Sequence, residues 1–436
     1  MCISSALTGK MLAGVCLVIF SISHVHADCS VNLDGLTGKY PPLLLQGHQF
    51  IYPTSVNQQG QRTIDIDEGG ELELYCHGDI RYEDSTYVSV SGLPKQKSIV
   101  LTCSQGVFYY AEDQVKVESS TCNRRQEPHL IRTNEICSPE GADGRTSNLV
   151  DLVRVQIGWK IGTNFIEQIQ LCHDEANYGT IWTNHTIYGK SIEHRDIDEG
   201  RPSFRADNSY QKRFYTWYTS TKLNEQYSKR TQGYTVSKLL GSNIINSVPL
   251  IETGTTGSNY FAKGHLSPDA AFIYNVQQDA TYYFMNAAPQ FQAFNNGNWK
   301  ALEYNARDLA SRSGRDLSIH TGTFGVLSYT DVNNEDVPIY LYISGETRYI
   351  PAPLYYWKVI HDPSTGSAAA FIGLNNPHAT EQPEELCNNV CGEMSWVDWS
   401  ITELDSGYMY CCSVEDARKA IPSIPDIQSS GLIQME

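Results

Sequence analysis

Beyond residue 22 the sequence lacks any apolar run long enough to cross a bilayer, so no later segment can anchor the chain in a membrane. It also lacks an excess of positive charge: 32 lysines and arginines stand against 49 aspartates and glutamates, a formal net charge of −17. A chain of that sign does not coat nucleic acid by bulk charge. No internal repeat and no low-complexity tract is present, which excludes a repeat architecture. No Gly-x-Ser-x-Gly elbow occurs. Gly189-Lys190-Ser191 ends like a phosphate-binding loop, but Asn184 stands where the leading glycine is required.

What is present is enough for a large core: 436 residues at 41% hydrophobic, a length for which two domains are the natural expectation. The start reads as a signal peptide over residues 1–27. Lys10 precedes the apolar run Met11 to Ile22, and Val25-His26-Ala27 offers a cleavage point before Asp28. Removal of that segment takes Cys2 and Cys16 with it and leaves ten cysteines, an even number that predicts five disulfides in an exported chain. Cys387-x3-Cys391 with Cys411-Cys412 could be drawn as a zinc site, but oxidising export favours bridges, whose pairing the sequence leaves open. Asn184-His185-Thr186 is a glycosylation sequon and predicts an exposed segment in a secreted glycoprotein.

From Asp28 to about residue 145 the pattern is short and strand-like. Glu71–Tyr75 and Tyr87–Ser91 alternate, and Ser98 to Thr102 leads into Cys103, which predicts a small disulfide-tied β module. Pro139-Glu140-Gly141-Ala142-Asp143-Gly144 is a loop by composition and sets the expected boundary. A larger mixed α and β domain follows over 146–380, opened by a strand at Val153–Trp159. Residues 381–436 read as a disulfide-tied extension with a helix near Val414–Ala420 and, after Pro422 and Pro425, a loose tail.

Three separated pieces carry the chemistry: Phe261-Ala262-Lys263-Gly264-His265-Leu266-Ser267-Pro268-Asp269, then Asn286-Ala287-Ala288-Pro289-Gln290, then Asn295 to Arg307. Their order and spacing resemble the DNA/RNA non-specific endonuclease family, whose hallmark is Asp-Arg-Gly-His followed by Asn-x-x-Pro-Gln and an Asn-bearing helix. The resemblance covers roughly residues 150 to 375. The wording around Gly264-His265-Leu266, with Trp396 to Cys412, is similar to the arthropod extracellular nucleases. It implies an α+β fold with a ββα-metal finger, and DNA or RNA as substrate. It also implies Mg²⁺ or Mn²⁺ as cofactor and products carrying a 5′-phosphate. Position by position, it implies His265 as general base, Asn295 as metal ligand, Glu303 as the residue orienting metal-bound water, and Arg307 as a phosphate contact. A further upstream arginine corresponds to Arg201 or Arg205. Two positions depart from the hallmark: Lys263 replaces Arg, a point charge in place of a planar fork, and Ala262 replaces Asp.

The residue types suit this chemistry on their own terms. An imidazole near pKa 6.5 can take a proton from an attacking water. A hard cation held by one amide oxygen, waters and substrate phosphate keeps its charge for the transition state. Trp299, Leu302, Ala306 and Leu309 form an apolar stripe, so Asn295, Glu303 and Arg307 are expected along the polar edge of one helix. Taken singly, Asn295-Asn296-Gly297 is a helix-initiating loop and Glu303 with Arg307 a surface ion pair; the ordered set is what points to a nuclease. The departures at Lys263 and Ala262 motivate an alternative, a secreted nucleic-acid-binding protein with weak or lost catalysis. Glu193 to Glu199 reads as a charged surface loop. Cys172-His173-Asp174 reads as half of a disulfide with polar neighbours. Lys212-Arg213 and Lys229-Arg230, near Tyr215, Trp217 and Tyr218, read either as a phosphate grip or as a solvated strand edge.

Overall fold

A computed structural model describes residues 28–36, 38–82, 96–137, 152–197, 200–207, 217–245, 247–399 and 404–435. The expected signal peptide, the strand at Tyr87–Ser91, the loop at 139–144, Asp198 with Glu199, and the group Lys212, Arg213 and Tyr215 lie outside the described residues. The fold is α+β.

The N-terminal part is built from short antiparallel strands. In Ser98–Ser104, Ile99, Leu101 and Cys103 face inward while Val100 faces out, the two-residue period of a half-buried strand. This strand pairs with Glu71–Tyr75, a strand where one is expected, in a six-stranded sheet. Cys29–Cys103 and Cys76–Cys122 bridge the module internally.

The larger part is organised by an eight-stranded antiparallel sheet. Its members are β1 (His129–Ile136), β2 (Leu152–Ile161), β3 (Asn164–Asp174), β4 (Gly179–Ile187), β7 (Leu317–Phe324), β8 (Tyr355–Asp362), β9 (Ser367–Leu374) and β10 (Met409–Cys412), in the order β1-β2-β3-β4-β7-β8-β9-β10. The expected strand at Val153–Trp159 lies within β2. The expected boundary near 145 does not coincide with the edge of this sheet. β1 precedes it yet pairs with β2, and Cys137–Cys172 fastens the end of β1 to β3.

At the other edge, β10 pairs with β9, so the C-terminal segment is a strand of the same sheet, pinned by Cys387–Cys412 and Cys391–Cys411. All ten cysteines among the described residues are therefore bridged, and none of them is left for zinc. A helix at Val414–Ala420 follows, where expected, with Ser413 capping the Asp416 N–H. The tail after Pro422 is not loose. Ile421, Ile424 and Ile433 are buried, and Trp396 Nε1 donates to the Ile433 carbonyl at 2.9 Å. Apolar anchors spaced this widely give no periodic signal, which is why the polar residues between them dominate a reading by composition.

Two further expectations are corrected. Asn184 lies within β4, half-buried, and its Nδ2 donates to Ser318 Oγ at 3.0 Å and to the Ile319 carbonyl at 3.3 Å. The nitrogen that a glycan would occupy is thus engaged in the sheet. Lys229-Arg230 opens a helix, Lys229–Leu240, and is not on a strand edge; Lys229 Nζ donates to the carbonyls of Gly254, Thr256 and Gly257.

Against the sheet packs a hairpin of β5 (Phe261–His265) and β6 (Ala287–Phe291), in register from Phe261 opposite Phe291 to His265 opposite Ala287. Helices α1 (Gln292–Asn296) and α2 (Asn298–Ser313) follow directly. In α2, Trp299, Leu302, Ala306 and Leu309 are all buried, the stripe read from the sequence. Trp299 meets Phe294 and Tyr356 edge-on, which fixes the helix to β8. Gly314, at φ +62°, ends the helix in the left-handed conformation that glycine adopts at least cost.

Candidate active site

The hairpin and the two helices form a ββα unit, and Asp269 links His265, Arg201, Glu303 and Arg307 electrostatically. His265 ends β5, with its ring against Phe204 at 4.8 Å between centroids and edge-on to Tyr282 at 4.8 Å. Its Nε2 is shut off from solvent and has no hydrogen-bond partner among the described residues. Burial lowers the imidazole pKa to about 4; the Asp269 carboxylate opposes that shift and Arg201 adds to it. At neutral pH the ring is therefore uncharged, the form in which an imidazole accepts a proton. Asp269 is itself held in place: Tyr282 donates its hydroxyl at 2.8 Å and the Ala270 N–H donates at 2.7 Å. The Asp269 pKa lies below the usual value: burial raises it, and His265, Tyr282 and Arg201 together more than offset that.

Glu303 and Arg307 sit one turn apart on α2. Burial raises the Glu303 pKa, and the cations Lys358 and Arg307 counter it. Burial lowers that of Arg307, with Glu303 opposing the shift and Arg195 adding to it. Asp269 acts electrostatically on both, which places the His265 and Glu303 groups in one shared field. Lys358 comes from β8 and is fully buried. Its Nζ donates to Thr321 Oγ1 at 2.5 Å and lies 5.0 Å from the Trp299 ring centroid. Burial lowers its pKa to about 8 while Glu303 supports the charged form.

Asn295 is not on the same helix as Glu303. Gly297 leaves helical geometry at φ −88° and ψ −127°, separating α1 from α2. A side chain at 297 would meet the Ser406 carbonyl at 2.4 Å, so only glycine fits this break. Asn295 Nδ2 donates to Gln292 Oε1 at 3.4 Å, and its Oδ1 has no partner among the described residues. That free amide oxygen suits a hard cation. Among the described residues no group of three or more His, Cys, Asp or Glu is placed to hold an ion.

The two upstream arginines separate. Arg201 Nε lies 3.8 Å from Asp269 Oδ2, beside His265. Arg205 lies over the Tyr283 ring at 4.5 Å, with its Nε and Nη2 buried and unpartnered. Lys263 Nζ sits 5.4 Å from the Phe204 ring, 5.8 Å from Tyr227 and 5.9 Å from Phe284, and burial lowers its pKa. Ala262 faces Gln290 across the hairpin, and both amide atoms of Gln290 are buried without a partner. A side chain at Gly264 would meet Gln290 Oε1 at 2.4 Å, so the glycine makes room for that amide.

Three contributors escaped the sequence reading. Asp269 lies inside the quoted motif, but its type alone assigned no role. Lys358 does leave a trace, a single cation within the apolar run Tyr355 to Ile360. Arg195, in the segment read as a charged surface loop, acts on Arg307. In that same segment Asp196 accepts from Arg62 Nη1 at 2.6 Å and from the Asn275 N–H at 2.6 Å, which ties the N-terminal module to the larger part.

An antiparallel sheet carrying a His-bearing hairpin and an Asn- and Glu-bearing helix pair defines a ββα nuclease. The chain belongs to the DNA/RNA non-specific endonuclease family, whose sequence profile matches residues 152–417. It is similar to a salivary endonuclease of Lutzomyia longipalpis, 24% identical over 396 residues, covering 89% of this chain and 82% of that protein. It is equally similar to the salivary protein Tsal1 of Glossina morsitans morsitans, 24% identical over 433 residues, covering 98% and 99%. A solved complex of EndoG with EndoGI aligns over 61% of this chain and 87% of that one, at TM-score 0.36 and 16% identity.

Proposed function

We propose that this chain is an exported endonuclease that hydrolyses the phosphodiester bonds of DNA or RNA with little sequence preference, with His265 as general base. The observation that carries this reading is the His265 imidazole at the end of β5, its Nε2 enclosed and without a partner among the described residues, with Asp269 acting electrostatically on it and on the Glu303–Arg307 pair of α2. Because Nε2 is enclosed by Phe204 and Tyr282, Nδ1 is the nitrogen left to meet a water. Nδ1 is basic only if Nε2 carries the hydrogen. His265 takes the proton as the water oxygen bonds to phosphorus and the bond to the 3′ oxygen breaks, the leaving oxygen taking a proton from solvent water. The products are a 5′-phosphate and a 3′-hydroxyl. Arg201 and Arg307 neutralise phosphate charge, and Lys263 adds a point charge from its aromatic surround. A divalent cation, Mg²⁺ or Mn²⁺, held through Asn295 Oδ1 would stabilise the charge that builds on the phosphate and the leaving oxygen. Salivary relatives and five disulfides support export.

One specific feature favours a second reading, nucleic-acid binding with weak catalysis. Ala262 offers Gln290 no acceptor, so the amide beside the catalytic strand is left unsatisfied. Incubation of the purified protein with plasmid DNA and with double-stranded RNA, with Mg²⁺ or with chelator, separates the two. Cation-dependent fragments bearing 5′-phosphates are expected; binding without cleavage would leave the second reading standing.

A further inference from the structure

Away from the ββα unit, a cavity of about 570 Å³ lies between the N-terminal module and the β2–β3 hairpin. His48, Glu73, His77 and Lys97 line it from the module, and His129 and Lys160 from the large sheet. The carboxylate of Glu73 is already occupied. Ser98 Oγ donates to its Oε1 at 2.5 Å, and His48 Nδ1 lies 3.2 Å from its Oε2. Lys97 and Lys160 are exposed, and neither ammonium is paired with a carboxylate among the described residues. His77 and His129 stack at 5.5 Å, and the His129 Nδ1 is buried without a partner. Two free ammonium groups and two stacked imidazoles thus converge on one opening, in a chain with 17 more acidic than basic side chains. A phosphate entering here would meet two ammonium groups without having to displace a carboxylate from either.

The cavity is connected to the hairpin site through named contacts. Pro128, next to His129, accepts from the Tyr283 hydroxyl at 3.1 Å. Tyr283 carries Arg205 on its ring and pairs with it by a backbone bridge.

We propose that this cavity is a second binding site for the phosphate backbone of a nucleic acid, through which the N-terminal module holds substrate while the ββα unit cuts it. Lys97 and Lys160 supply the charge, and the ring N–H groups of His77 and His129 supply donors. The inference rests on nucleic acid being the substrate, but not on cleavage. A bound strand releases condensed counterions for each phosphate neutralised, so binding here leaves a signature in salt dependence.

The test uses the full mature chain, chelator to stop cleavage, and a fluorescein-labelled 30-base-pair DNA followed by anisotropy across a salt series. Loss of two phosphate contacts in Lys97→Gln/Lys160→Gln should flatten the slope of log K against log salt by about 2. At moderate salt it should weaken binding by roughly tenfold or more. Lys116→Gln, an exposed lysine of the same module outside the cavity, should leave both unchanged. Equal binding by the double variant and the parent would overturn the proposal, as would an equal loss in Lys116→Gln, which would mean bulk charge alone. A second arm titrates inorganic phosphate and follows the His77 and His129 ring protons by NMR. Signals that move while DNA affinity ignores the double variant would assign the cavity to free phosphate and overturn the strand-binding claim. A parent that binds DNA through these lysines yet never cuts with Mg²⁺ would defeat the catalytic reading and leave this one intact.

Discussion

Lys358→Met probes the least expected part of the site. Lys358 is enclosed in β8, with Thr321 Oγ1 as its hydrogen-bond partner and Glu303 sustaining its charge. With a pKa of about 8 it is protonated in roughly nine molecules of ten at pH 7. It is the largest influence keeping the buried Glu303 carboxyl ionised. An opposite charge at close range is worth about 1 to 3 pKa units, or about 1.4 to 4 kcal/mol. Methionine of similar length removes the charge without opening a cavity, so Glu303 should protonate at higher pH by that amount. If ionised Glu303 orients the attacking water, the acid limb of kcat/KM moves up by one to three units. The rate at pH 7 then falls and recovers in alkali. Stability should fall as well, by up to about 3–5 kcal/mol, because removing one partner leaves Glu303 a buried charge that Arg307 alone compensates. Initial rates of plasmid nicking from pH 5 to 9, with thermal unfolding beside them, measure both. An acid limb that stays in place in a folded variant would refute the coupling. A loss of equal size at every pH would assign Lys358 to packing alone.

Other outcomes follow from the same geometry. Gly264→Ala puts a carbon 2.4 Å from Gln290 Oε1 and 2.6 Å from its Cβ; a cost of about 1–3 kcal/mol should lower the melting temperature, and an unchanged value would contradict the close approach. His173, His265 and His320 have folded pKa values of about 4 against 6.5 when unfolded. Between those values the unfolded chain binds more protons, so stability is full above pH 6.5 and declines as pH falls toward 4. For the fully buried His173 the shift corresponds to roughly 3 kcal/mol. Urea unfolding at pH 7, 5.5 and 4.5 should show this decline, and His173→Gln should flatten it. Lys263→Arg, placing a planar fork among Phe204, Tyr227 and Phe284, should raise kcat/KM several-fold; an unchanged rate would show that phosphate geometry does not depend on this position.

Local pattern was legible where one face is buried. Ile99, Leu101 and Cys103 alternate, and Trp299, Leu302, Ala306 and Leu309 recur at helical spacing, so strand and helix were readable there. The ββα unit was legible because its motifs follow one another closely in the chain. What escaped depends on distant partners. Only the Ser406 backbone makes Gly297 a break and sets Asn295 on its own helix. Asn184 reads as a sequon until β7 pairs beside it and takes its amide. Lys358 reads as a stray charge until Glu303 is brought to it across more than fifty residues. The polar tail reads as loose until Ile421, Ile424 and Ile433 are seen in the core.

The role of His265 is tested most directly by cleavage of supercoiled plasmid in Mg²⁺ by the parent and by His265→Ala of matched melting temperature, each beside a chelator control. Loss of a positioned general base should lower the rate by about 10²–10⁴-fold while DNA binding is kept. Equal rates from the two proteins would contradict it.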